Sequence, residues 1–262
     1  MSEPVFEVRD VQAGYGEAAL VLRGLSLAVH PGEVLCLVGP NGAGKSTVLK
    51  VASGMLDPRQ GSVWLNGQDV TGRRPHALLD LGLAHVLQGH SVFPEMTVEE
   101  NVRLGGYTMR DRSELQRRSD EVREIFPVVD ERWKDLAGLL SGGQQKMVEF
   151  ARALMLDPDV ILLDEPSMGL DPQTTSTVFN EISRLRELGK AVLLVEQNAR
   201  RALEMADRGC VLDLGRIHIE GPAPKLLEDP ELASLYLGGR PASVTSSEAE
   251  RATDDQEGDS DQ

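Results

Sequence analysis

Two groups of residues in this chain have the types and spacing needed to hold and cleave a phosphate chain. The first is Gly39-Pro40-Asn41-Gly42-Ala43-Gly44-Lys45-Ser46-Thr47. Glycines at 39, 42 and 44 let the backbone take positive φ and turn successive N–H groups inward as an anion nest. Lys45 adds a mobile point charge for the outer phosphates, and Ser46 a hydroxyl suited to Mg²⁺. The second group is Asp164-Glu165. Asp164 is suited to the metal, and Glu165 to orienting or deprotonating an attacking water. Together they describe a triphosphate site with the parts for transfer to water.

The surrounding elements are those such a site requires. Val34-Leu35-Cys36-Leu37-Val38 is an unbroken apolar run, the pattern of a strand buried on both faces of a parallel sheet. After the glycine loop, Val48, Leu49, Val51 and Ala52 follow a helical period that ends at Gly54. The helix's positive end therefore points at the nest. Residues 160–163 and 191–195 are two further buried strands. They deliver Asp164-Glu165 and Glu196-Gln197-Asn198 to one sheet edge, where open α/β sheets bind ligands. A helix is predicted from about Pro172, with Val178, Ile182 and Leu185 on one face, as far as Gly189.

Short strands are predicted over residues 5–11 and around Leu25, Leu27 and Val29, with a hairpin turning at Asn66-Gly67. Residues 81–87 read as a strand ending at Gln88-Gly89-His90. From Thr97 to Leu140 the pattern turns helical, and Ser141 opens a helix carrying Met147, Val148, Ala151 and Leu154 on one face. This predicts a helical insertion, about residues 91–155, between two halves of an α/β sheet. Closing strands flank Gly215, and helical patterns follow at 223–228 and 231–237. Tyr15, between Gly14 and Gly16, fits either a ring stacked on a nucleobase or a half-buried loop tyrosine.

Composition sets the outer limits. The chain has 262 residues and a net charge of −15. Residues 241–262 carry seven acids against Arg251, a net of −6, which leaves −9 on the rest. An acidic surface excludes nucleic acid as the main partner. The expected organisation is one domain over residues 1–239 and an acidic disordered tail over 240–262. Cys36 and Cys210 lie in apolar runs and read as small core residues, and the five histidines show no metal-binding spacing. With no signal peptide and no membrane-length apolar run, the expected place is the cytoplasm, on the membrane's inner face if a partner holds it there.

Once Ser141-Gly142-Gly143-Gln144 joins the glycine loop and Asp164-Glu165, residues 3–239 resemble the ATP-binding cassette (ABC) ATPases. That resemblance implies a P-loop α/β fold with a mixed core sheet, a small antiparallel β subdomain and an inserted helical subdomain. It implies ATP and Mg²⁺. Tyr15, Gly39, Asn41, Gly42, Gly44, Lys45, Ser46 and Thr47 would bind nucleotide, and Ser46, Gln88 and Asp164 the metal. Glu165, Gln88 and Gln197 would serve hydrolysis. Ser141, Gly142 and Gly143 would close over the ATP of a second ATPase subunit, identical or paralogous, and Asp171 would bridge the pair. Transmembrane permease subunits and a substrate-binding protein are the implied partners.

Residues 96–102, 194–198, 206–212 and 236–239 look most like subunits that power import of branched-chain amino acids or related amides. Gln197, where most of the family has histidine, agrees with that group. Gln88-Gly89-His90 departs from the Glu-Gly-Arg common in it. A soluble ABC ATPase of ribosomes or chromosomes fits less well, because a short helical segment stands where a long coiled coil would. A regulatory module that only binds ATP is disfavoured by Glu165.

Overall fold

Apolar runs without a polar interruption become the centre of the structure. The computed structural model describes residues 3–16, 19–89, 91–229 and Leu232. In chain order, β1 (Phe6–Ala13) and β2 (Leu22–Val29) precede β3 (Val34–Val38) and α1 (Lys45–Ala52). Next come β4 (Gln60–Leu65), β5 (Gln68–Asp69), α2 (Pro75–Asp80) and β6 (Leu83–Val86). Four helices follow: α3 (Val98–Leu104), α4 (Arg112–Ile125), α5 (Pro127–Glu131) and α6 (Gly142–Leu154). The chain then runs through β7 (Val160–Asp164), α7 (Pro172–Glu187), β8 (Ala191–Val195) and α8 (Ala199–Met205). It continues with β9 (Arg208–Asp213), β10 (Arg216–Pro222) and α9 (Ala223–Glu228).

The central sheet has the order β10-β9-β3-β8-β7-β6, parallel from β9 to β6 and antiparallel only at β10. A smaller antiparallel sheet, β2-β1-β4-β5, packs beside it. The mixed core sheet and the small antiparallel sheet are those expected. Their halves, however, interleave: β3 lies between β9 and β8, and β6 at the edge beside β7. The two strands from before the helical segment thus sit one inside and one at the edge of the four that follow it.

Each central strand feeds two cores because successive side chains point to opposite faces. Cys36, Ile161, Leu163, Val192 and Leu194 join the helices α3, α6, α7 and α8 on one face. Leu35, Leu37, Leu162, Leu193 and Val195 face α1, β1 and β2 on the other. Every residue of β3, β7 and β8 is buried. Each large aliphatic side chain so buried contributes roughly 1.5–3 kcal/mol relative to exposure.

The hairpin between β4 and β5 turns with φ of 51° at Asn66 and 74° at Gly67, the left-handed pair that a two-residue hairpin loop needs. Cys36 and Cys210 are buried free thiols. Among the described residues no helix is long and apolar enough to cross a membrane. The helical pattern expected at 231–237 and the tail at 240–262 lie outside the described residues, Leu232 excepted.

Candidate functional site

The parallel register sets the chemical groups side by side. Leu37 of β3 is level with Val195 of β8, which is level with Asp164 of β7. Val86 of β6 is level with Leu163. The glycine loop, Glu196-Gln197, Asp164-Glu165 and Gln88 therefore leave the sheet at one edge, although up to 158 positions of sequence separate them.

The loop after β3 closes tightly on β9. A Cβ at Gly39 would lie 2.1 Å from the Leu212 carbonyl oxygen, so only glycine fits there. Gly44 takes φ 112° as it caps α1, the left-handed backbone that starts the helix directly under the loop. Lys45 is 6% exposed. Its Nζ donates to the carbonyl oxygens of Gly39 at 2.8 Å and Pro40 at 3.1 Å. Burial lowers its pKa, against the opposing pull of the Glu165 and Asp164 carboxylates. A cavity of about 330 Å³ opens over the loop, lined by Tyr15, Val21, Asn41, Gly42, Gly44, Lys45, Ser46, Thr47 and Glu165.

Tyr15 stands at the rim of this cavity, half exposed. The Lys50 ammonium lies 5.3 Å from its ring centre and donates to its hydroxyl at 3.2 Å. A hydrogen bond with the Thr47 side chain, then Lys50, holds the phenol pKa below its ordinary value. The tyrosine is thus fixed over the P-loop rather than loose at the domain edge.

Asp164 and Glu165 sit at the end of β7 in different environments. Asp164 is 9% exposed, and its Oδ1 is buried without a hydrogen-bond partner. Burial first and the Glu165 charge second push its pKa up. Glu165 has φ 45°, a strained conformation for a side chain of its size, and its N–H is tied to the Val195 carbonyl at 2.9 Å. The Gln88 Nε2 donates to Glu165 Oε2 at 2.9 Å. Ser46, Gln88 and Asp164 offer a hydroxyl, an amide and a carboxylate, the hard oxygen donors that Mg²⁺ prefers. Among the described residues no cluster of His, Cys, Asp or Glu competes for a metal.

Other predicted residues are placed elsewhere. Ser141, Gly142 and Gly143 do not line the cavity; they form the start of α6. Ser141 and Gln144 make a reciprocal capping box, Gln144 N–H to Ser141 Oγ at 3.4 Å and Ser141 N–H to Gln144 Oε1 at 3.0 Å. Gly143 packs so closely on α7 that a Cβ there would lie 2.2 Å from Thr174 Cγ2. Asp171 caps α7, accepting from the N–H groups of Gln173 and Thr174. Gln197 is exposed at the sheet edge and also does not line the cavity.

Sequence reasoning passed over Lys50 and placed Glu196 at the sheet edge without giving it a role. Lys50 is one helical turn beyond Ser46, a spacing that places it on the face toward Tyr15. Glu196 is 2% exposed and accepts from the N–H groups of Ser167 at 3.0 Å and Gln197 at 3.1 Å. It joins the segment after Glu165 to the loop carrying Gln197. Burial pushes its pKa up, against those hydrogen bonds. A lone acid after an apolar strand was the only signal for it.

Comparison with known proteins agrees with this geometry. The family model described as "ABC transporter" matches residues 22–168. The high-affinity branched-chain amino acid transport ATP-binding protein BraG of Pseudomonas aeruginosa is 41% identical, over 87% of this chain and 97% of BraG. A probable branched-chain amino acid transport ATP-binding protein, LivF of Archaeoglobus fulgidus, is 38% identical, over 87% of this chain and 96% of its own length. The lipopolysaccharide export ATP-binding protein LptB of Haemophilus influenzae is 34% identical, over 83% and 91%. Among solved structures, the ADP conformation of the ATP-binding cassette MJ1267 superposes with a TM-score of 0.82 at 28% identity, covering 90% of this chain and all of that one. A dimeric post-hydrolysis cassette bound to ADP and phosphate, MJ0796, gives 0.71 at 26% identity, over 83% and 98%.

Proposed function

Because this chain belongs to the ABC transporter family, we propose that its ATPase activity drives import of branched-chain amino acids through membrane permease subunits. The observation that carries the chemistry is the single cavity joining Tyr15, the Lys45 loop and Glu165. The branched-chain amino acid reading is supported by BraG and LivF, at 41% and 38% identity, and the import direction by the resemblance of residues 96–102, 194–198 and 206–212 to importing subunits.

In this reading the adenine ring stacks on Tyr15, while the loop N–H groups receive the phosphates. Lys45 exchanges the Gly39 and Pro40 carbonyls for outer phosphate oxygens, a short movement of a side chain already in place. The orphaned Asp164 oxygen and the hydroxyl of Ser46 fit a magnesium ion, with Gln88 as third ligand. When bound, that ion neutralises phosphate charge. Glu165 takes the proton of the attacking water on its carboxylate. Gln88 holds that carboxylate in place from one side, and Gln197 reaches the γ-phosphate from the sheet edge by hydrogen bonding.

The signature residues Ser141, Gly142 and Gly143 lie outside this cavity, and they complete the site of a second ATPase subunit. Two subunits then sandwich two ATP molecules, with Asp171 between them. Hydrolysis opens the pair and resets the permeases. Residues 91–155 form the helical subdomain of a domain spanning 1–239. The protein works on the cytoplasmic face of the membrane, supplied by a substrate-binding protein on the other side.

The test is uptake. Proteoliposomes containing this chain, its partner ATPase where one is needed and the permease pair should accumulate leucine only with ATP inside the reaction, and Lys45→Ala should abolish that uptake. ATP hydrolysis that never raises uptake of leucine, isoleucine or valine would overturn the import reading.

A further inference from the structure

The segment after Gln88 is held by an ion pair that lies inside the protein. Lys146 and Glu149 of α6 are 2% and 1% exposed, with Nζ and Oε2 2.5 Å apart. Both also reach across to the backbone following β6. Lys146 Nζ donates to the Gly89 carbonyl at 2.8 Å, and Glu149 Oε1 accepts from the Ser91 N–H. Arg152, one turn further along α6, donates to the Ser91 hydroxyl at 2.6 Å.

A buried pair of this kind is a poor way to gain stability. The cost of removing two charges from water offsets their attraction, and apolar residues of the same volume serve as well or better. What apolar residues do not supply is direction. The ammonium requires an acceptor and the carboxylate a donor, and they find them at Gly89 and Ser91, both close behind Gln88. The Gln88 amide in turn contacts Glu165. Ser141, the N-cap of α6, stands five positions before Lys146 on the same helix. A helix is stiff over so short a distance, so a displacement at Ser141 reaches Gly89 as a displacement of two anchored backbone groups.

We propose that Lys146 and Glu149 are positioning residues that strap the Gln88 segment to the helix led by Ser141, setting Gln88 against Glu165 according to where α6 stands. This rests on the reading of Gln88 and Glu165 as parts of the hydrolytic site. The strap acts on the chemical step and not on nucleotide capture, because neither residue lines the cavity over Lys45.

The experiment is steady-state ATP hydrolysis by the full chain, with thermal melting and amide exchange at Ser91. The double variant Lys146→Met/Glu149→Leu removes both charges and both anchors. It should melt within a few degrees of wild type, keep KM for ATP within about twofold and lose about tenfold in kcat. Exchange at Ser91 should rise. Lys146→Met/Glu149→Gln keeps an amide oxygen for the Ser91 N–H. Its kcat should fall less, about threefold, with Ser91 still protected.

Unchanged kcat in both doubles, with Ser91 exchange raised in the first, overturns the proposal. So does a loss of kcat that tracks a parallel fall in melting temperature and rise in KM, which is the mark of a merely structural pair. Should the first double fail to fold, the second decides: lowered kcat at unchanged KM supports the strap, and unchanged kcat refutes it. Lys45→Ala run alongside separates the two readings. Its inactivity beside fully active doubles refutes the strap alone, whereas its retained turnover removes the hydrolytic site and the strap with it.

Discussion

Adding one methyl group at Gly143 separates what this glycine does for packing from what it does for ATP. The Cβ of Gly143→Ala would stand 2.2 Å from Thr174 Cγ2. Carbon atoms prefer about 3.5–4.0 Å, so α6 and α7 must part by more than an ångström or Thr174 must turn. Thr174 is not free to turn, because its hydroxyl donates to Asp171 Oδ2 at 2.5 Å and its N–H to Asp171 Oδ1 at 3.1 Å. Overpacking of this kind costs about 1–3 kcal/mol, from which the better helix propensity of alanine returns about 0.5–1. The net loss, about 0–2.5 kcal/mol and centred near 1, lowers Tm by about 2–4 °C for each kcal/mol in a domain of this size. Thr174→Ser removes Cγ2 and keeps the hydroxyl on Asp171. In calorimetric melts, Gly143→Ala/Thr174→Ser should therefore recover most of the loss relative to Thr174→Ser alone. ATP hydrolysis should return with stability in the double, since the added methyl points into α7 and leaves the backbone proposed to meet a second subunit's γ-phosphate uncovered. A Tm drop that Thr174→Ser does not relieve would refute the packing argument.

Burial holds His85 at about 4 rather than 6.5, and neither ring nitrogen has a partner. Between those values the unfolded chain binds a proton that the folded one refuses, so stability is lost as pH falls through the interval, by up to about 3 kcal/mol. Urea midpoints at neutral pH and near pH 4.5 should show that loss in wild type and a smaller one in His85→Leu; equal losses would contradict it. Lys45→Ala and Ser141→Arg should each be inactive alone, because every site in a symmetric pair is damaged. Mixed in equal amounts, they should regain about a quarter of wild-type ATPase activity, since half the dimers then hold one intact site. No recovery from copies that associate in a pull-down would show that one intact site does not fire by itself.

The parts legible in the sequence were those set by local rules. Residues 34–38, 160–163 and 191–195 had to be central strands because their apolar runs left no face for water, and the structure buries every one of them. Asn66-Gly67 announced its hairpin through the backbone it demands. α2 and α8 were missed because they are short and bury only Leu78 in one case and Ala199, Ala202 and Leu203 in the other, too few for a periodic signal. The same divide runs through the site. The glycine loop is contiguous and could be read, whereas the contact between Gln88 and Glu165 spans 77 positions and needs β6 to lie beside β7. The strained φ of Glu165 is set by a hydrogen bond to the neighbouring strand, which no property of glutamate foretells. Lys146 and Glu149 carry no local sign that a loop will cover them, since both are polar positions on α6.

The central claim is that Glu165 takes the proton when water attacks ATP held over Lys45. The most direct measurement is single-turnover phosphate release from the full chain with magnesium and a slight excess of protein, wild type against Glu165→Gln, with ATP affinity measured in parallel. The substitution keeps the shape of the side chain and removes its basicity. ATP affinity should stay within about twofold while phosphate release slows by about a hundredfold or more. Release at the wild-type rate from Glu165→Gln would contradict the account.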